Sequence, residues 1–222
     1  MDYENDIFIR KFELECCNKT LTLYQKQVGN VSCIVWDAAL VLAKYLDISC
    51  QKNKFGSEWL RGKKILELGA GIGCVGMTAA CLGGEVVMTD LQEALPILRK
   101  NIEKNKKHWE TVGGSAEGQV LAWNKNAHLD FIPDIILLAD CVYYEESILP
   151  LLDTLENFCN TIKDTYILLS QEERDTPNQI SVWQKFMANL TERFKIENIA
   201  LEEQHSLFSS SDIHLMKLTK IK

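Results

Sequence analysis

A chain of 222 residues that is 46% hydrophobic and 25% charged, with 12 Gly and 4 Pro, has the composition of a globular protein, which excludes a disordered, collagen-like or low-complexity chain. With 24 Lys plus Arg against 31 Asp plus Glu, the net charge of −7 repels nucleic-acid phosphates on average, so no nucleic-acid partner is expected without a local basic patch. The length suits one α/β domain; residues 1–222 are expected to form it, with residues 1–60 packed on the core as an N-terminal extension.

The extension reads as a β-hairpin over residues 8–14 and 21–24 followed by a helix over 37–46. From there the chain alternates. A short strand over 63–68 stops at a glycine cluster, a small apolar helix covers 74–82, and a second strand covers 85–90. Leu91, Leu95, Leu98 and Ile102 give a helix over 91–107 its apolar face. Residues 111–118, with Gly113-Gly114-Ser115, read as a loop, 119–123 as a third strand and 134–140 as a fourth. A helix over 149–158, a fifth strand over 166–170, a helix over 180–190 and late strands over 194–201 and 213–218 complete the chain. Alternation of this kind builds a mostly parallel sheet covered on both faces.

The first fifteen residues scatter acids through apolar positions and lack the basic start and unbroken apolar run of a signal peptide. The longest apolar run, residues 38–43, is far short of the roughly 20 residues that cross a bilayer. A cytoplasmic location and no membrane partner are therefore expected. The eight cysteines form no C-x-x-C and the four histidines are scattered, so the thiols read as reduced and no metal site is expected.

The chemistry concentrates after the strands. Glu67, Gly69, Gly71 and Gly73 alternate with other residues at a strand-to-helix turn, and Gly71-x-Gly73-x-x-Gly76 also fits the dinucleotide fingerprint. The Glu67 carboxylate would repel a pyrophosphate and attract a ligand ammonium. That favours the first motif of class I S-adenosylmethionine-dependent methyltransferases. Asp90, ending the second strand, suits the ribose of either cofactor. Asp140-Cys141-Val142-Tyr143-Tyr144-Glu145-Glu146 ends the fourth strand, at the edge where open α/β sheets bind ligands. Asp140 reads either as the cap of the next helix or as an acid beside a reacting amine.

Val35-Trp36-Asp37-Ala38-Ala39, the 67–76 loop, Val87–Leu91, Val120–Trp123 and Ala139–Glu146 occur in this order, and together they resemble the methyltransferase-like 21 group of seven-β-strand protein-lysine methyltransferases, in particular its branch acting on valosin-containing protein. The resemblance runs from about Phe8 to the C-terminus. It implies a class I, Rossmann-like fold with a seven-stranded, mostly parallel sheet, and a monomer. The implied cofactor is S-adenosyl-L-methionine, leaving S-adenosyl-L-homocysteine, and the implied substrate is a lysine of an AAA ATPase of the valosin-containing-protein type. It implies cofactor contacts from Trp36, Glu67, Gly69, Gly71, Gly73, Asp90, Trp123 and Ala139, and it sets Asp140 and Tyr143 at the methyl group and amine. Tyr144 joins the cofactor group in second rank, since one of two neighbours in such a turn usually faces the core. Glu172-Glu173-Arg174 stands where the family has Glu-Gln-Arg, and Gln171 replaces a family tyrosine.

Glu145, Glu146, Glu172 and Glu173 would form an acidic rim that attracts a lysine-bearing surface. Three alternatives remain: methylation of a nucleic-acid or small-molecule amine, a nicotinamide oxidoreductase, and a non-catalytic binding module. Against the first, the chain lacks the Pro-Pro of Asp-Pro-Pro-Tyr; its only footing is the basic cluster Arg99, Lys100, Lys104, Lys106 and Lys107. Against the second, no catalytic His or Tyr/Lys pair stands out.

Overall fold

The computed structural model describes residues 6–27, 29, 31–52, 54–56, 58–159 and 164–221. The start of the expected extension, residues 1–5, lies outside them. Strands β3 (Lys64–Leu68), β4 (Glu85–Asp90), β5 (Ser115–Val120), β6 (Ile135–Ala139), β7 (Tyr166–Glu172), β8 (Phe194–Asn198) and β9 (Ile213–Lys220) form one sheet in the order β5-β4-β3-β6-β7-β9-β8. The strands from β5 to β7 pair in parallel, and β9 runs antiparallel to both β7 and β8. The expected mostly parallel α/β sheet is present.

Alternate residues of each central strand face opposite layers. Ile65, Val86, Met88, Ile135 and Leu137 pack with α1 (Asp37–Gln51), α2 (Cys74–Cys81) and α3 (Leu95–Asn105). Leu66, Leu68, Val87, Ile136 and Leu138 pack instead with α5 (Ile148–Phe158) and α6 (Pro177–Arg193). Strands buried on both faces need near-continuous apolar runs, which is why β3, β4 and β6 are legible as such.

Strand β5 is the exception. Only its last two residues overlap the expected strand over 119–123, and half of the expected loop over 111–118 belongs to it; its register runs from Ser115 opposite Glu85 to Val120 opposite Asp90. It is an edge strand covered on one side by α3, whose Leu95, Leu98 and Ile102 reach Gly118, so it carries no continuous apolar run. The turn that remains is packed too: a Cβ at Gly114 would fall 2.1 Å from the Ala80 carbonyl oxygen.

Other boundaries move for local reasons. The helix expected from residue 91 begins at Leu95, with Pro96 in its first turn, and ends at Asn105; the short α4 (Lys107–Glu110) follows. Helix α1 runs on to Gln51 because the sheet and the extension enclose it: Asp47 looks like an exposed end but is buried, accepting from the Glu15 and Cys16 N–H groups at 2.8 and 2.9 Å. Helix α6 extends beyond the expected 180–190 at both ends; its start is a Thr176 cap with Pro177 at the first helical position. Strand β8 stops at Asn198 and β9 continues to Lys220. All eight cysteines are thiols, with no disulfide among the described residues.

The hairpin is present as β1 (Ile7–Leu14) and β2 (Lys19–Lys26), paired from Ile7 opposite Lys26 to Leu14 opposite Lys19. It stands apart from the large sheet. Two buried amides on α3 dock it: Asn105 accepts from the Thr22 N–H and donates to the Thr22 carbonyl, and Asn101 does the same at Tyr24, all between 2.7 and 3.0 Å. Asn101 and Asn105 thus stand in for a neighbouring strand. Replacing either by Ala leaves two backbone groups of β2 unpaired and is expected to lower stability by about 1–3 kcal/mol, read as a shift in the urea midpoint; an unchanged midpoint would show that the hairpin docks by other means.

Candidate active site

Strands β3 and β6 are neighbours in the sheet, but α2 leaves β3 toward one face while α5 follows β6 on the other. At such a switch point neither helix covers the carboxyl ends of the strands, and a crevice opens. Here it is a cavity of about 540 Å³ walled by the turns after β3, β4 and β6, the start of α1 and the segment after β7. Of the eleven expected site residues, ten line it: Trp36, Glu67, Gly69, Gly71, Asp90, Trp123, Ala139, Asp140, Tyr143 and Tyr144.

Gly73 does not. Gly69, Gly71 and Gly73 all have left-handed backbone, with φ of +65°, +54° and +87°, which L side chains rarely adopt. A Cβ at Gly69 would lie 2.7 Å from the Cys141 sulfur and 3.2 Å from the Trp123 ring, so this glycine lets the two walls meet. Gly73 instead caps the start of α2, and a Cβ there would strike Leu98 at 2.6 Å, so its α-carbon packs on the core beneath the cavity.

Two acids brace the turn. Asp90 accepts from the Gly71 N–H through Oδ2 and from the Leu91 N–H through Oδ1, both at 2.7 Å, and each oxygen keeps a further lone pair. Burial raises its pKa against the pull of those two donors. Glu67 is 3% exposed and accepts from the Gly76 N–H at 2.9 Å. A Cβ at residue 76 would lie 2.4 Å from that same Glu67 oxygen, so only glycine permits the bond. Burial pushes the Glu67 carboxyl up to about 8, the Gly76 N–H offsets part of this, and the negative charge of Asp90 adds to it.

The turn after β6 departs from one expectation. Asp140 has φ +55° and caps nothing: a 3-10 turn over Glu145–Ser147 intervenes, and Ser147 stands at the N-cap of α5. Its carboxylate is instead held by residues at the end of β7 and just beyond it. The Arg174 guanidinium donates to both oxygens, at 3.1 Å to Oδ1 and 2.6 Å to Oδ2, and Gln171 Nε2 donates to Oδ1 at 2.8 Å. Gln171 also accepts from the Val142 N–H at 3.0 Å, and Gln179 donates to the Tyr143 carbonyl at 3.1 Å, so the turn is fastened residue by residue. Burial pushes the Tyr143 phenol up to about 12, with Cys141 and Asp90 adding to it. Tyr144 does not face the core; it is 54% exposed, its ring 4.6 Å from that of Tyr143.

Arg174, Gln171 and Gln179 were not legible as site residues, since nothing near them in the sequence points to Asp140, which lies 31 and 34 positions before Gln171 and Arg174. Arg174 also pairs with Glu172 at 3.0 Å and lies over the Trp36 ring at 5.4 Å. The acidic rim is largely partnered: Glu145 pairs with Lys185, Glu173 with His214 and Glu172 with Arg174, while Glu146 lines the cavity. The basic cluster on and after α3 does not line it.

The sequence model of a family described as lysine methyltransferase matches residues 16–193. Protein N-lysine methyltransferase METTL21A of Danio rerio is 36% identical over 221 residues, covering 95% of this chain and 88% of that protein. EEF1A lysine methyltransferase 3 of Xenopus tropicalis is 33% identical over 205 residues, covering 88% and 85%. The chain belongs to this lysine methyltransferase family. It is an S-adenosylmethionine-dependent protein-lysine methyltransferase of the methyltransferase-like 21 group, as the sequence resemblance implied. The fold agrees: the 16S rRNA N2 G1207 methyltransferase of T. thermophilus superposes with a TM-score of 0.57 at 15% identity, over 97% of this chain and 51% of that one. Putative RNA methyltransferase PH1948 of Pyrococcus horikoshii gives 0.53 at 16% identity, over 90% and 94%.

The cavity fits the cofactor of this enzyme. A buried carboxyl with no cationic partner among the described residues suits an ammonium, and Asp90 retains acceptor capacity for ribose hydroxyls. The raised Glu67 carboxyl has a consequence in the ligand-free enzyme. Between about 4.5, its ordinary value, and about 8 the folded chain binds a proton that the unfolded chain has lost, so this group makes stability fall as pH rises through that window. Urea midpoints from pH 5 to 8 are expected to decline for the wild type and less steeply for Glu67→Gln; parallel declines would place the titration elsewhere.

Proposed function

We propose that the cavity between β3 and β6 holds S-adenosylmethionine and a protein lysine together, with Asp140 and Tyr143 at the end where the methyl group moves. One observation carries this: the same cavity presents Glu67 and Asp90 beneath the glycine turn and the Asp140–Tyr143 turn beside it. Glu67, Asp90, Gly69, Gly71, Ala139 and the indoles of Trp36 and Trp123 hold the cofactor in this reading, with Tyr144 at the exposed edge. Asp90 takes the ribose, Glu67 the ammonium, and the indoles pack on apolar surface. The cofactor supplies an electrophilic methyl on a sulfonium.

The nucleophile must be the neutral amine, which is roughly 1 in 2,500 of free lysine at pH 7. Asp140, with both oxygens already bonded to Arg174 and Gln171, orients the amine and offsets positive charge at the reacting centre. The Tyr143 hydroxyl, held protonated by burial, serves as a hydrogen-bonding group and not as a base. Its ring can hold a methylated ammonium by cation–π contact.

The substrate reading keeps an AAA ATPase of the valosin-containing-protein type, which the 35–39 and 139–146 segments support. The likeness to an EEF1A lysine methyltransferase favours EEF1A as the second reading. A cytoplasmic setting and action as a monomer belong to this reading, and the docked hairpin supports one domain over residues 1–222. Purified enzyme incubated with labelled S-adenosylmethionine and an extract lacking it decides the substrate: a band at the size of the ATPase supports the first reading, and one at the size of EEF1A the second.

Asp90→Ala is expected to weaken S-adenosylhomocysteine binding by about 2–4 kcal/mol in a folded protein, read by calorimetry; unchanged affinity would remove Asp90 from the ribose. Asp140→Asn keeps the shape and the tolerance of left-handed backbone but removes the charge. Turnover is expected to drop about 10²-fold or more, with S-adenosylhomocysteine affinity changed far less. A folded Asp140→Asn enzyme with near-normal turnover would sink this assignment.

A further inference from the structure

Arg174 is the one basic side chain among the described residues that line the cavity. Its planar fork meets both oxygens of Asp140, one of its nitrogens also reaches Glu172 at 3.0 Å, and its face lies over the Trp36 indole. It therefore joins three walls of the cavity: the segment after β7, the turn after β6 and the start of α1. A bare carboxylate beside a lysine would stabilise the ammonium, the form that cannot attack a methyl group. A guanidinium fixed on that carboxylate weakens this effect while leaving the carboxylate in place.

We propose that Arg174 is a positioning residue for methyl transfer, holding the Asp140 carboxylate in its turn and setting a permanent positive charge where it favours the neutral form of the entering lysine. This rests on the reading that sets the amine beside Asp140. The other charged groups facing the cluster all oppose Arg174. Glu172 adjoins it on β7, Asp37 at the start of α1 and Asp212 before β9 act on Glu172, and Glu67, Asp90 and Glu146 face the same cavity with the Tyr143 phenol. Arginine suits the task because it keeps its proton. Burial works against its charge, yet the Asp140 hydrogen bonds and the charges of Asp140 and Glu172 hold its pKa above the ordinary value.

The test is the pH dependence of kcat on a lysine-bearing protein substrate, because its limb reports the amine within the bound complex. Arg174→Gln is expected to move the rising limb upward by about 1–2 pH units, so that much of the lost rate returns at high pH. Arg174→Lys keeps a charge without the fork; its limb is expected near the wild-type position with a lower plateau. S-adenosylhomocysteine affinity and melting temperature report whether the cavity is intact. A folded, ligand-binding Arg174→Gln enzyme whose limb stays at the wild-type pH overturns the proposal. Should the Gln variant fail to fold, a Lys variant with both limb and plateau unchanged overturns it as well. Asp140→Asn, run alongside, separates the two ideas: loss of turnover there with an unmoved Arg174→Gln limb rejects the role of Arg174 alone, and near-normal turnover there rejects the site reading beneath it.

Discussion

Adjacent parallel strands whose following helices go to opposite faces leave a gap at their carboxyl ends, because each helix covers only its own side. In this sheet β3 and β6 are that pair, and ten of the eleven expected site residues line the gap. The glycine turn leaves β3, Asp90 ends β4 one strand away, and the Asp140 turn leaves β6. The hydrophobic layers on the two faces hold these strands rigidly, so the turns inherit fixed positions.

The second constraint is electrostatic. Glu67, Asp90, Asp140 and Glu146 all face one cavity, an arrangement that suits a cationic cofactor and would be costly in its absence. The enzyme offsets the cost differently at each acid. Glu67 holds its proton more tightly, Asp90 takes two backbone N–H donors, and Asp140 takes a guanidinium and an amide.

The hairpin, remote in the sheet diagram, reaches the site through a short chain of contacts. Asn101 and Asn105 anchor β2 on α3. Gln25, buried near the end of that strand, accepts from the Val35 N–H at 2.8 Å. The next residue is Trp36, whose indole N–H donates to the Val31 carbonyl at 2.8 Å and whose ring carries Arg174. The extension is thus part of the cavity wall, and these contacts tie it to α1 and, through Arg174, to the Asp140 turn.

Most of the central sheet was legible in the sequence because its determinants are local: apolar runs mark strands buried on two faces, and alternating glycines mark a turn that only glycine makes cheaply. Ten of the eleven expected site residues line the cavity: eight lie at or just after the carboxyl ends of β3, β4 and β6, while Trp36 and Trp123 came from the family resemblance. What the sequence did not carry depends on partners far along the chain. Strand β5 lacks an apolar run because α3 covers one of its sides, Gly73 serves packing because Leu98 arrives against it, and Asp47 is buried because the hairpin turn donates to it. The pairing of Asp140 with Arg174 spans 34 residues and two strand ends. Periodicity and propensity describe a few neighbouring residues; which charge meets which across a gap is set by strand order, and that exists only in the folded sheet.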